Sequence, residues 1–138
     1  PSFLGKRENF GKGLHHQVHG PWGLGDFRDM DDWRDYWKAD DALFRSEVGV
    51  AGAADVALLR RHADGLALWP PTTPLWRHAA NWWTQEQRLV EPFAHLPPDE
   101  ALAAYVEQTR QEQAEALAFA AQACKARFPR CGGFVVWM

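Results

Sequence analysis

The residue with the clearest potential for chemistry is a single carboxylate, Glu47. It lies in a strand-like hexapeptide that ends on a glycine, Phe44-Arg45-Ser46-Glu47-Val48-Gly49. Aromatic and β-branched residues favour an extended strand, and the glycine favours its end. In barrels of alternating strands and helices, catalytic side chains project from the carboxyl ends of the strands. Glu47 is therefore a candidate catalytic nucleophile. The alternative is an edge-strand carboxylate that faces water.

Tryptophan is the compositional outlier of the chain. The 138 residues include eight tryptophans: Trp22, Trp33, Trp37, Trp69, Trp76, Trp82, Trp83 and Trp137. Flat aromatic rings stack on sugar faces in carbohydrate sites, but they also fill contacts between helices and sheets. We assign most of these tryptophans to packing and two to a ligand.

Three histidines, His15, His16 and His19, precede the chain breaker Gly20-Pro21. His15 and His19 would share one face of a helix, which is a spacing that zinc sites use. The segment 14–22 is a poor helix, however, and is better interpreted as a short strand. No third ligand stands at a matching spacing. We therefore predict no metal ion, and no other cofactor is indicated.

Charge and hydropathy exclude two classes of partner. The net charge is -3, and no cluster of lysine and arginine is large enough to follow a phosphate backbone, so we expect no nucleic acid. No apolar stretch reaches the roughly 20 residues that span a bilayer, so we expect no membrane partner. The two cysteines, Cys124 and Cys131, are expected to be free thiols.

A first helix is predicted from Asp29 to Asp40. Trp33 and Trp37 recur at helical spacing, and Asp29 can cap the first turn. The acidic residues that follow the cap suit the positive end of the helix dipole, and we expect this acidic run to be solvated.

Residues 50–130 are predicted to be helical. The expected helices are Val56 to His62 with Leu58 and Leu59 inward, one that starts at Pro74 with Trp76, Ala80 and Trp83 on one face, and a long one from Pro98 to Arg127. Thr109 and Gln113 interrupt the apolar stripe of the long helix and should be partly buried.

The order of elements predicts an α/β fold with parallel strands and right-handed crossovers. Within one domain, we assign residues 1–13 to a loop, 14–49 to a strand, a helix and the strand that carries Glu47, and 131–138 to a last strand. That last segment is a continuous apolar run, which is typical of a covered parallel strand.

Three segments together resemble the last part of the catalytic barrel of glycoside hydrolase family 2. They are the hexapeptide that contains Glu47, the helical Gln113-Ala114-Glu115-Ala116-Leu117, and the closing Gly133-Phe134-Val135-Val136-Trp137. The resemblance implies a helix-rich fragment of a (β/α)8 barrel, about strands six to eight. It also implies a retaining exo-β-glycosidase of the β-mannosidase or β-galactosidase type, which hydrolyses terminal β-linked sugars through a covalent glycosyl-enzyme.

The resemblance also assigns the site residues. Glu47 matches the nucleophile at the end of the seventh strand, and Trp137 matches the tryptophan that ends the eighth strand and stacks near the sugar. His19 matches a histidine after the sixth strand of the mannosidase branch. We place His19, Trp22 and Trp137 in the substrate site. Val48 stands where the family usually has an aromatic residue, and the tryptophans usual upstream of His19 are absent.

One essential group of the family is missing from this sequence. A retaining glycosidase needs a second carboxyl group about 5–5.5 Å from the nucleophile. In the family this group is a Glu directly after an Asn on an earlier strand, and no Asn-Glu step precedes Glu47. We therefore expect a fragment of a catalytic domain that is inactive alone. An open piece of a barrel exposes a sheet face and unpaired strand edges, so we also expect it to self-associate. A non-catalytic carbohydrate-binding module and a helical interaction domain are the alternative functions.

Overall fold

A small parallel sheet organises the chain. The computed structural model describes residues 3–78 and 87–137. Its strands are β1 (Phe3–Leu4), β2 (Val18–His19), β3 (Arg45–Val48) and β4 (Phe134–Val136). They form one four-stranded sheet in the order β1-β2-β3-β4, and every neighbouring pair is parallel. The mixed α/β class and the parallel strands predicted from the sequence are confirmed.

Backbone hydrogen bonds extend the pairing beyond these short strands. The amide of Val18 donates to the carbonyl of Phe44 (3.0 Å), and the amide of Arg45 donates to that of Gly133 (3.0 Å). At the other end, the Trp137 amide donates to the Val48 carbonyl (2.9 Å). The carboxyl ends of the strands therefore meet at one edge of the sheet.

Two segments differ from the sequence prediction. Residues 1–13, assigned to a loop, contain β1 and a single 3-10 turn, Arg7–Asn9. The apolar β4 is not covered, because Val135 and Val136 are 49% and 47% exposed. β4 is the last strand of the described sheet, and its apolar composition alone does not reveal whether another element packs on it.

Helix α1 (Met30–Ala39) follows β2, and its predicted extent is confirmed. The Asp29 side chain caps it by accepting the Asp32 amide (2.8 Å), while Trp33 and Trp37 are fully buried. The prediction of a solvated acidic start is wrong for Asp32, which is buried and accepts from Arg28 (3.0 Å). This hydrogen bond lowers the pKa of the Asp32 carboxyl below its usual range.

The chain divides into two compact units, Pro1–Val50 with Ala114–Met138, and Ala51–Gln113. The second unit contains α2 (Val56–His62), α3 (Pro74–His78), α4 (Gln87–Val90), a 3-10 turn (Glu91–Phe93) and the first part of α5 (Pro98–Ala126). The predicted start of α3 and the predicted length of α5 agree with these bounds.

The core of the second unit is aromatic. The rings of Trp69 and Trp76 both contact Tyr105 edge to face, with centroids 5.6 and 5.7 Å away. Leu59 is buried as predicted, but Leu58 is 45% exposed, because adjacent helical residues point in different directions. The predicted positions of Ala80, Trp82 and Trp83 fall on residues outside those described.

Polar residues on α5 serve packing. Thr109 is fully buried, donates to the Val106 carbonyl (3.1 Å) and accepts the Ala53 amide (3.1 Å). Gln113 is half-buried. Both side chains are thus buried as the sequence predicted, Gln113 partly and Thr109 completely. None of the described helices combines the length and apolar character that crossing a membrane requires.

Candidate functional site

Glu47 lies near the carboxyl end of β3, directly opposite His19 at the end of β2. Gly49 follows, and only a residue without a side chain fits there. A Cβ at Gly49 would collide with the carbonyl oxygen of Trp137 and would lie 3.6 Å from the Cε3 atom of its ring. The glycine thus lets the ends of β3 and β4 approach closely, so that the backbone of Trp137 lies beside Val48 and Gly49.

The Glu47 carboxylate accepts a hydrogen bond through one of its two oxygens, Oε2. The indole nitrogen Nε1 of Trp22 donates to Oε2 (2.9 Å), and His19 Nδ1 lies 3.9 Å from the same oxygen. The side chains of Glu47 and His19 are 32% and 34% exposed. The carboxylate is therefore anchored, yet a ligand from solvent can reach it.

Ser46 orients the imidazole of His19. Its hydroxyl oxygen lies 2.7 Å from His19 Nδ1 and 3.2 Å from the carbonyl oxygen of Val18. The carbonyl can only accept, and when the hydroxyl proton is given to Val18, the His19 Nδ1–H donates to Ser46. In this arrangement the Nε2 of a neutral His19 is the acceptor nitrogen and could accept from a hydroxyl group of a ligand.

Two exposed tryptophans flank this cluster. Trp22 is 39% exposed, and its ring centroid lies 6.2 Å from that of His19. Trp137 is 56% exposed and follows β4, next to the end of β3. By contrast, Trp33, Trp37 and Trp76 are fully buried. The residues predicted from sequence, Glu47, His19, Trp22 and Trp137, thus lie at the same edge of the sheet.

A buried ion cluster behind β3 was missed by sequence reasoning. Arg45 has no exposed surface, and its guanidinium donates to Asp40 through both Nε (3.3 Å) and Nη2. Its Nη1 donates to the carbonyl of Gly20 (2.9 Å). Arg127 donates through Nη2 to Oδ2 of Asp40, which also accepts from Arg45 Nε, and through Nη1 to the Asp40 carbonyl (2.6 Å). The cluster links the end of α1, the loop after β2 and the end of α5.

Arg45 also packs between aromatic rings. Its guanidinium carbon lies 5.2 Å from the ring centroid of Tyr36 and 5.0 Å from that of Trp37. Burial alone would lower the pKa of Arg45, but the hydrogen bonds and charge of Asp40 outweigh it and raise the pKa. Arg45 stays charged, and it fixes the strand two residues before Glu47. The sequence signal was an arginine inside an apolar strand.

His15, which the sequence offered as a possible metal ligand, forms a contact with Asp41 instead. His15 is buried, and its Nδ1 lies 2.6 Å from an oxygen of Asp41. Burial acts to raise the pKa of Asp41, but the hydrogen bonds from His15 and from the Gly11 amide outweigh it and lower the pKa. Among the residues that the structure describes, no group of three or more His, Cys, Asp or Glu side chains could hold a metal ion.

A second concave region contains both cysteines. Cys124 and Cys131 are free thiols and line a cleft of about 630 Å³ with Phe128 and Phe134. Burial, and then the neighbouring Cys131, raise the pKa of the Cys124 thiol to about 11. The raised pKa makes Cys124 a poor nucleophile at neutral pH. Both thiols are buried, and we interpret them as part of the core packing.

Comparisons of the chain with protein-family models, with curated proteins and with solved structures found no match.

Proposed function

We propose that the chain is part of the catalytic domain of a retaining exo-β-glycosidase, of the β-mannosidase or β-galactosidase type. The observation that carries the proposal is the Glu47 carboxylate at the carboxyl edge of a parallel sheet, anchored by Trp22 and about one-third exposed. Catalytic carboxylates of barrel glycosidases occupy this edge. The substrate is a terminal β-linked sugar.

The sheet supports a fragment of a (β/α)8 barrel. In such a barrel every strand pairs in parallel with the next strand along the chain, and helices separate them. The strand order β1-β2-β3-β4 has this sequential character, with α1 between β2 and β3, and with helices α2 to α5 between β3 and β4 in the part of the chain that the structure describes. In the proposed barrel, β2, β3 and β4 correspond to about the sixth, seventh and eighth strands.

In the proposed reaction, Glu47 attacks the anomeric carbon of the sugar and the leaving oxygen takes a proton from a second carboxyl group. Water then releases the sugar from the covalent glycosyl-enzyme. The two carboxyl groups of a retaining enzyme lie about 5–5.5 Å apart. The polar contacts of Glu47 among the described residues are with Trp22 and His19. No Asn-Glu step precedes Glu47 in the sequence, so the proposal assigns the acid to another part of the domain and expects no turnover by this chain alone.

The neighbours of Glu47 suit a sugar. Trp137 exposes more than half of its surface, so its ring face is available to stack on a sugar ring. The acceptor nitrogen of His19 can bind a sugar hydroxyl. Hydrogen bonds that hold a substrate OH give a site strong discrimination against analogues that lack it, so His19 contributes to the choice of sugar.

The test is kinetic and uses an enzyme in which this chain is completed by the remaining barrel strands. Glu47→Gln should abolish turnover of nitrophenyl β-glycosides, because an amide cannot form the glycosyl ester. The matched control is Asp26→Asn, which changes an exposed carboxylate in the loop after β2 and should leave turnover intact. Full turnover by Glu47→Gln would remove the proposal.

A non-catalytic carbohydrate-binding module is the second candidate, and the exposure of both Trp22 and Trp137 favours it. Such a module would bind a sugar through the 138-residue chain alone. Calorimetry distinguishes the two functions. The module predicts millimolar or tighter affinity that Glu47→Gln does not change, whereas the glycosidase predicts binding only when the barrel is complete.

A further inference from the structure

We infer that Trp22 is a positioning residue that selects which oxygen of Glu47 attacks the sugar. The inference rests on the proposed function and deepens it. Sequence reasoning gave Trp22 the role of a substrate contact. Its indole N–H instead points at the carboxylate, 2.9 Å from Oε2, and this contact joins residues 25 positions apart in the chain. A ring that only stacked on sugar would not need its nitrogen in this place.

The contacts of the carboxylate separate its two oxygens. The two polar neighbours of the carboxylate are both nearest to Oε2: Trp22 Nε1 donates a hydrogen bond to it, and His19 Nδ1 lies 3.9 Å from it. Within the described part of the chain, no donor lies within hydrogen-bond distance of Oε1 of Glu47. A lone pair of Oε1 is therefore free to form the bond to the anomeric carbon. The glycosidic C–O bond breaks with its electron pair on the leaving oxygen, which a carboxylic acid elsewhere in the domain protonates.

The backbone holds Trp22 in place for this role. The residue before it, Pro21, accepts a hydrogen bond from the amide of Gly49 (3.0 Å), directly after β3. Gly20, one residue earlier, accepts from the buried Arg45 (2.9 Å). The loop of Trp22 is thus tied at two points to the strand that carries Glu47. The donor and the carboxylate are fixed relative to one another before substrate binds.

A fixed carboxylate matters because the geometry of attack controls the rate. A hydrogen bond to an ionised group is roughly twice as strong as a neutral one, so one charge-assisted bond can select a single orientation. A displacement of about 1 Å at a reacting group can reduce the rate by about 10²-fold. Loss of the indole N–H should therefore lower kcat much more than it raises KM.

The first experiment detects the hydrogen bond between Trp22 and Glu47 by NMR and needs no enzymatic turnover. The indole ¹H–¹⁵N resonance of Trp22, assigned by its loss in Trp22→Phe, should move upfield in Glu47→Gln because the anionic acceptor is gone. Trp33 and Trp76 are internal controls, because their indoles donate to the carbonyls of Ala116 (3.1 Å) and Leu68 (2.9 Å). A Trp22 resonance that does not move overturns the inference.

The second experiment separates positioning from stacking in the complete enzyme. Phenylalanine keeps an aromatic face but has no N–H. Positioning predicts that Trp22→Phe and Trp22→Ala lower kcat alike, by about 10–10²-fold, with KM changed less. Stacking predicts a Trp22→Phe enzyme close to wild type, which would overturn the inference. If the indole resonance moves but the complete enzyme cleaves no β-glycoside, the proposed function fails while the contact stands.

Discussion

The buried Asp40 should be one of the most sensitive positions of the chain. Its side chain has no exposed surface, and its carboxylate accepts from Arg45, from Arg127 and from the amide of Ala42 (3.2 Å). Asp40→Asn keeps the shape and one acceptor oxygen. It removes the negative charge that faces two guanidinium groups, of which Arg45 is fully buried and Arg127 is 17% exposed.

The expected loss follows from leaving charge without its partner. Removing one partner of a buried ion pair costs about 3–5 kcal/mol, because the remaining ion stays desolvated. This is a large part of the roughly 5–15 kcal/mol that stabilises a typical domain. With a urea dependence of about 2 kcal/mol per molar, the midpoint of unfolding should fall by about 2 M.

The assay is urea unfolding followed by tryptophan fluorescence, with Asp35→Asn as the matched control. Asp35 lies on α1 and pairs with Lys38 at 3.0 Å, but both side chains are about two-thirds exposed. Exposed pairs contribute about 0–1 kcal/mol, so the control should unfold close to wild type. If Asp40→Asn and Asp35→Asn shift the midpoint equally, the buried cluster does not stabilise the sheet as argued.

Three further predictions concern the sheet edge and the cysteine cleft. Gly49→Ala should destabilise the chain by about 1–3 kcal/mol, as measured by urea unfolding, because its methyl group overlaps the carbonyl of Trp137. Stability should fall from about pH 9 to pH 11, because the pKa of Cys124 is raised to about 11 and the unfolded chain releases that proton first. Light scattering should show a dimer or higher oligomer at tens of micromolar, and Val136→Lys should weaken it, because β4 offers an exposed apolar strand.

Each of these predictions has a control in the chain. Gly132→Ala should be mild, because its nearest neighbour would be 3.6 Å away. Cys124→Ala should reduce the loss of stability at alkaline pH, and an unchanged pH profile would contradict the assigned cause. Leu58→Lys places the same charge on α2 at a residue that is 45% exposed and should leave association unchanged. A wild-type monomer would refute the association itself.

The helices were predictable because their signals are local. Asp29 and the spacing of Trp33 and Trp37 define α1 within about one turn of chain at each end. Pro98 and the break before Pro129 bracket α5 in the same way. Which side chains of a short helix face the core was harder to predict. Leu58 of α2 was expected to be buried and is 45% exposed, because a short helix contains too few residues to define its buried face.

The sequence predicted that Glu47, His19, Trp22 and Trp137 lie near one another, but it did not predict their contacts. Parallel strands bring their carboxyl ends to one edge of the sheet, and the adjacency of β3 and β4 was expected from the resemblance, in which the corresponding strands are neighbours. The bond between Trp22 and Glu47 depends on the path of the loop after β2, which no periodicity encodes. The pairing of Asp40 with Arg127 joins residues 87 positions apart and is equally invisible in the sequence.

The most direct test of the central claim is to trap the covalent intermediate. In the enzyme that completes this chain, a dinitrophenyl 2-deoxy-2-fluoro-β-glycoside should form a stable glycosyl ester, because its leaving group needs no protonation and the fluorine slows hydrolysis. Peptide mass spectrometry should locate one sugar on Glu47, and none should attach in Glu47→Gln. An adduct on another carboxylate, or turnover of the substrate with no adduct on Glu47, would contradict the assignment of Glu47 as the nucleophile.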